Sequence, residues 1–262
     1  MTVLLTGAAG RIGTALRDRL PALGWSLRSF DRVEVPGGIV GDLSSAADLD
    51  AAMAGVSAVV HLAGVPTEAP WPQLRDANVD GLVNVFEAAR RAGVDRVVLA
   101  SSNHATGFTP VRDDLPVDGP PRPDTLYGVT KVFAEALGRY YADRYAMRVA
   151  CLRIGTFAER PDDVRTLSTW LSPGDATRLV DTCLRAPDLT YAVLWGVSDN
   201  TRRTWDLGPA RALGYAPEDD AEHWAASLAR PVPDPSDGLV GGGFTGPGFG
   251  LDEVAARAAA GR

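Results

Sequence analysis

Short, nearly unbroken apolar runs alternate along this chain with longer stretches whose apolar positions recur every three to four residues. The short runs predict strands over residues 2–6, 25–30, 38–40, 58–62, 96–100 and 150–154, with a seventh at 191–195. The longer stretches predict helices over residues 11–23, 46–54, 71–92, 125–145 and 173–186, because a 3.6-residue period gathers such positions on one face. Gly24 stands where the first helix must stop. Strands alternating with helices build βαβ units, so the fold class is α/β, a doubly wound parallel sheet. Residues 230–250 break the pattern. They are rich in Pro, Gly and Asp around Gly241-Gly242-Gly243 and predict no regular structure, either disordered or folded over as a lid.

Composition adds bounds. With 262 residues, 45% hydrophobic and 23% charged, the chain can bury a sizeable core without staples and fits one large domain over residues 1–262. In that reading residues 155–262 contribute most of a small substrate-binding part. A net charge of -7 excludes a general affinity for nucleic acid or acidic membranes, although one local arginine can still recognise an anionic ligand. Cys151 lies in an apolar run and Cys183 in a helical stretch, so both read as buried free thiols, with no metal site. Val3-Leu4-Leu5 is too short for a signal peptide or membrane span, and a cytoplasmic protein is expected. Its expected partners are a small-molecule substrate and further copies of itself in a homo-oligomer. One count is sharper: Lys131 is the only lysine among 26 Lys+Arg residues. The position that keeps lysine needs something arginine cannot supply.

Candidate chemistry begins directly after the first strand, at Thr6-Gly7-Ala8-Ala9-Gly10-Arg11-Ile12-Gly13. Gly7 and Gly10 allow a tight turn and close approach of backbone to a pyrophosphate, and Gly13 lets helix and strand pack closely. Arg11 and Ile12 open a helix whose N-terminal N–H groups favour phosphate. Asp31 ends the second strand 18 residues after Gly13, where a carboxylate accepts hydrogen bonds from ribose hydroxyls. This is a Rossmann-type dinucleotide site. Asp31 repels a 2′-phosphate whereas Arg32 would tolerate one, so NAD is favoured over NADP. Asp42 and Leu43 follow the third strand, within reach of an adenine. Leu62, Ala63 and Gly64 end the fourth strand and leave room for the nicotinamide ribose.

Tyr127 and Lys131 are four residues apart in a helical stretch and so share a face. A tyrosine with its ordinary pKa near 10 is a poor base at neutral pH, and a fixed ammonium is expected to lower it. Lysine can also hold a ribose. Ser101-Ser102-Asn103-His104 follows the fifth strand, at the carboxyl end where open α/β sheets bind ligands, so a serine hydroxyl there can orient a substrate oxygen.

These residues resemble the short-chain dehydrogenase/reductase superfamily, in its extended, epimerase-like branch. The likeness narrows with Ser101-Ser102-Asn103-His104, Arg122-Pro123-Asp124, Tyr127-Gly128 with Lys131, Arg153-Ile154-Gly155, Thr169-Trp170-Leu171-Ser172, and Trp195-Gly196 with Ser198. Together these blocks resemble uronate dehydrogenases over residues 3–215. The resemblance implies NAD-dependent oxidation of glucuronate or galacturonate at C1 to an aldarolactone. It implies catalysis by Ser102, Tyr127 and Lys131, and sugar contacts from Asn103, His104 and Tyr127. It also implies a carboxylate grip by Arg165, for which a guanidinium fork is suited. Thr156 falls where that family often has serine, keeping the hydroxyl and adding a methyl. Two alternatives are a nucleotide-sugar epimerase, dehydratase or reductase of the same superfamily, and a non-catalytic NAD-binding regulator. The short chain after Ile154 speaks against the first, and the complete Ser102, Tyr127 and Lys131 set against the second.

Overall fold

The computed structural model describes residues 1–228 and 238–260. Seven parallel strands form one sheet: β1 (Thr2–Thr6), β2 (Ser26–Asp31), β3 (Ile39–Val40), β4 (Ala58–His61), β5 (Arg96–Ser102), β6 (Arg148–Ile154) and, after two short strands, β9 (Tyr191–Gly196). Their order is β3-β2-β1-β4-β5-β6-β9, reversing direction at β1 as in a Rossmann sheet. Helices cover both faces, which is why these strands read as apolar runs rather than as alternation. Within β1, Val3 and Leu5 join one core with Leu16, Leu179 and Cys183, whereas Leu4 joins the other with Phe30, Phe86 and Cys151.

The helices are α1 (Arg11–Arg19), α2 (Ala46–Met53), α3 (Trp71–Leu74), α4 (Gly81–Arg91), α5 (Leu126–Tyr145), α6 (Thr166–Thr169), α7 (Pro173–Arg185), α8 (Gly208–Ala212) and α9 (Leu251–Ala259). Ser45, Thr125 and Ser172 cap α2, α5 and α7 by accepting from the backbone N–H three residues on. Gly24 closes the first helical stretch in the left-handed region, at φ 88. The stretch expected as one helix over residues 71–92 is continuous but contains a π-helical turn, Arg75–Asp80, between α3 and α4. Both cysteines are buried and free. No helix among the described residues is long and apolar enough to cross a membrane.

Residues beyond β6 hold elements that the pattern did not predict. β7 (Thr156–Phe157) pairs in parallel with β8 (Trp170–Leu171). The glycine-rich stretch is folded from residue 238 onward, while residues 230–237 lie outside the described residues. Gly238 O accepts from Val111 N, Val240 N donates to Thr109 O, and Gly241 N donates to Gly107 O. Single 3-10 turns at Gly242–Thr245 and Pro247–Phe249 then lead to α9. Backbone pairing orders this strap although its composition favours neither helix nor strand.

Candidate active site

A cavity of about 1100 Å³ opens at the carboxyl ends of β1, β2, β4 and β5. All the expected site residues line it except Thr156 and Arg165. The loop after β1 needs its glycines for a steric reason. Gly7 has φ 70, and a Cβ there would lie 2.6 Å from Ala63 N; a Cβ at Gly13 would lie 2.2 Å from Gly7 O. Gly10 precedes the first turn of α1, whose N-terminus faces the cavity, and Ile12 lies one residue inside it. Arg11 Nη2 donates to Phe157 O at 2.7 Å, from one cavity-lining residue to another.

Asp31 reaches the cavity from the end of β2 and also ties the loop together, accepting from Ala9 N at 2.9 Å and from Val33 N at 3.1 Å. Asp42 turns to its own loop. Its carboxylate accepts from Ser44 N and Ser44 Oγ, and these two bonds hold its pKa below the ordinary value. Leu43 is buried behind it, its carbonyl accepting from Asn84. After β4, Leu62, Ala63 and Gly64 form the floor beneath the glycine loop.

Asn78, which sequence reasoning missed, holds that loop. From the π-helical turn it accepts from Val65 N at 2.7 Å and donates to Val65 O at 3.0 Å and to Thr130 Oγ1 at 3.1 Å. Glu68 was missed too. Its carboxylate accepts from Tyr127 N at 2.6 Å, and burial holds its pKa above the ordinary value. Both bonds tie the loop to α5.

On α5, Tyr127 and Lys131 stand one turn apart, with Lys131 Nζ 5.4 Å from the Tyr127 ring centre. The Tyr127 hydroxyl lies near Ser102, whose Oγ accepts from His104 N at 3.2 Å and caps the short 3-10 helix after β5. Lys131 Nζ donates to Ala100 O at 2.8 Å. The electrostatics overturn one expectation. Tyr127 is pushed up to about 12 by burial, which outweighs the lowering effect of Ser102, and the Asp124 charge adds to the rise. Lys131 is pushed down to about 8 by the same loss of water, with Glu135 opposing. Without ligands the ammonium does not activate the phenol. Glu135 itself is held by Arg153 through two bonds of 2.8 Å and by Ser101 Oγ at 2.6 Å, a buried pair beneath the site.

His104 Nδ1 bonds to Asp124 Oδ2 at 2.7 Å, and its ring stacks on Phe244 of the strap at 4.2 Å. Asn103 Nδ2 donates to Val240 O at 3.0 Å. Arg165, at the start of α6, donates to the same carbonyl at 2.7 Å, which keeps its guanidinium at the strap rather than in the cavity lining. Thr156 Oγ1 lies 3.0 Å from Thr169 Oγ1, so its hydroxyl is taken up by the last residue of α6. A dinucleotide loop, a Ser102, Tyr127 and Lys131 set and one cavity joining them define an NAD-linked dehydrogenase that acts on an alcohol.

The family model of the NAD dependent epimerase/dehydratase family matches residues 3–171, and the chain belongs to that family. The uronate dehydrogenase of Agrobacterium fabrum (strain C58) is 41% identical over 246 residues, 91% of this chain and 93% of that one. The NAD-dependent glucose-6-phosphate dehydrogenase of Haloferax volcanii is 39% identical over 249 residues, 84% of this chain and 94% of that one. A crystal structure of the Agrobacterium tumefaciens uronate dehydrogenase, a tyrosine-to-alanine mutant complexed with NAD, superposes with a TM-score of 0.88 at 38% identity, covering 93% of this chain and 96% of the other.

Proposed function

We propose that the chain is an NAD-dependent dehydrogenase that oxidises a free hexuronate, glucuronate or galacturonate, at C1 to the aldarolactone. One observation carries this reading: the glycine loop and the Ser102, Tyr127 and Lys131 group share a single cavity, so cofactor and alcohol meet in one space. NAD, when bound, supplies the hydride acceptor. Ser102 orients the C1 hydroxyl, and Tyr127 Oη takes its proton. Lys131 lies one turn away and holds the ribose. At neutral pH it keeps most of its charge and favours the phenolate once substrate is in place. Asn103 and His104 hold sugar hydroxyls, and Thr156 and Arg165 serve the carboxylate end. Residues 155–262 then supply most of the substrate-binding part of a single NAD-binding unit. Cytoplasmic location and assembly into a homo-oligomer complete the proposal. Val129, Tyr140 and Tyr145 on α5 are large exposed apolar side chains that a second copy would cover.

The deciding experiment is NADH formation with glucuronate, galacturonate, glucose 6-phosphate and nucleotide sugars. Turnover led by the hexuronates is expected. Turnover confined to either of the other two groups would reassign the substrate, and cofactor binding without any turnover would make the chain a regulator.

Two substitutions sharpen the reading. Asp31→Ala should weaken NAD and raise the NADP-to-NAD ratio of kcat/KM by about tenfold, because it removes a ribose acceptor and a charge that repels phosphate. An unchanged ratio would remove Asp31 from the ribose. Arg165→Met keeps an apolar stem and should lower kcat/KM on hexuronates by roughly ten- to a hundredfold, the scale of one charge-assisted hydrogen bond. The neutral sugars glucose and galactose should lose much less. Equal losses on acid and neutral sugars would assign Arg165 to the support of Val240 alone.

A further inference from the structure

Asp124 precedes α5 and was not among the expected site residues, yet its side chain is wholly buried. One carboxylate oxygen accepts from His104 Nδ1 and the other from Thr125 Oγ1 at 3.1 Å. The room for it comes from two glycines on two segments. A Cβ at Gly107 or at Gly241 would lie 1.9 Å from Asp124 Oδ2, whereas one at Gly128 would first meet His104 O at 2.3 Å. The same His104 ring is stacked on Phe244 and meets the Tyr127 ring edge-on at 5.9 Å, so it is held on two sides. A buried carboxylate is costly unless it is hydrogen-bonded, and a partner on one ring nitrogen fixes which nitrogen carries the proton.

We infer that Asp124 is a positioning residue for substrate binding: it holds the His104 imidazole as the Nδ1–H form, leaving Nε2 to accept a sugar hydroxyl, and Gly107 and Gly241 are glycine to admit its carboxylate. The inference rests on the reading of His104 as a substrate contact. It also explains one glycine of the strap's triplet: Gly241 stands against Asp124, whereas Gly242 stands against Arg165 and Gly243 has open space where its Cβ would be.

Four variants and one spectrum test it. Asp124→Asn keeps the volume and removes the charge. It should lower kcat/KM for the hexuronate by roughly ten- to a hundredfold, mainly through KM, with NAD affinity and Tm near wild type. Added to His104→Gln it should cost no more than about a further twofold, because Asp124 acts through that ring. Gly241→Ala should reproduce the Asp124→Asn loss, while Gly243→Ala should stay within about twofold of wild type. The chain has three histidines, so long-range 1H–15N spectra resolve each ring, and loss of one signal in His104→Gln assigns it. Wild-type His104 should show Nδ1–H at a pH where the ring is neutral. An Nε2–H ring, fully additive losses, or a silent Gly241→Ala would each overturn the inference. The spectrum needs no substrate, so it stands even if the screen finds that hexuronates are not turned over.

Discussion

Tyr127→Phe is expected to lower kcat by at least about a hundredfold with NAD affinity unchanged, the scale on which losing a general base is felt. Phenylalanine keeps the ring that packs edge-on to His104 and lies beside Lys131, so the cavity wall survives. What disappears is one buried oxygen near Ser102 that no other phenol lining the cavity can replace. Burial pushes that phenol up to about 12, and phenylalanine offers no oxygen to take a proton at all. Steady-state turnover on a hexuronate and an NAD titration by protein fluorescence check both halves. Near-normal turnover in a folded mutant would take the base away from Tyr127.

The second large effect is expected for Lys131→Arg, an exchange that leaves the formal charge unchanged in a chain that uses arginine elsewhere. Half-buried Lys131 donates from Nζ to Ala100 O at 2.8 Å, near the Glu135 and Arg153 pair. A planar guanidinium is larger, points its donors along a fixed fork and stays charged in any protein environment, whereas Lys131 is pushed down to about 8. We expect a loss of about a hundredfold or more in kcat/KM, comparable to losing a catalytic group. A mutant that matches wild type would end the argument from lysine usage.

What could be read from the sequence follows the range of the forces involved. The strands and most helices were legible because each is set by a local period and a cap, as at Ser45, Thr125 and Ser172. Gly7 and Gly13 were legible because a tight turn imposes its residues within a few positions, and Asp31 because it ends the next strand. The Tyr127 and Lys131 pair was legible from helical spacing, but its electrostatics were not. Burial by the whole fold decides them, and spacing gives only the sign of one neighbour. Asn78 was hidden because a π-helical turn shifts the phase of the face it presents, and its partners Val65 and Thr130 are far from one another in the chain. Asp124 and Glu68 show their roles only through partners on other segments. Arg165 follows the same rule: its motif suggested an anion, and the folded chain first gives it Val240 O.

That shared carbonyl has a genetic consequence. Asn103 and Arg165 both grip a main-chain atom, and the strap docks on residues 107–111 through other main-chain atoms. No codon change deletes a carbonyl oxygen. Substituting Val240 therefore perturbs the core its buried side chain fills, while the hub itself stays in place. The strap is vulnerable instead to changes of register, such as one residue inserted or lost between 238 and 241, and to a proline at 241, which would remove the N–H donated to Gly107. Length and register thus matter to the strap as much as the residue types at Gly241 and Phe244, which meet Asp124 and His104.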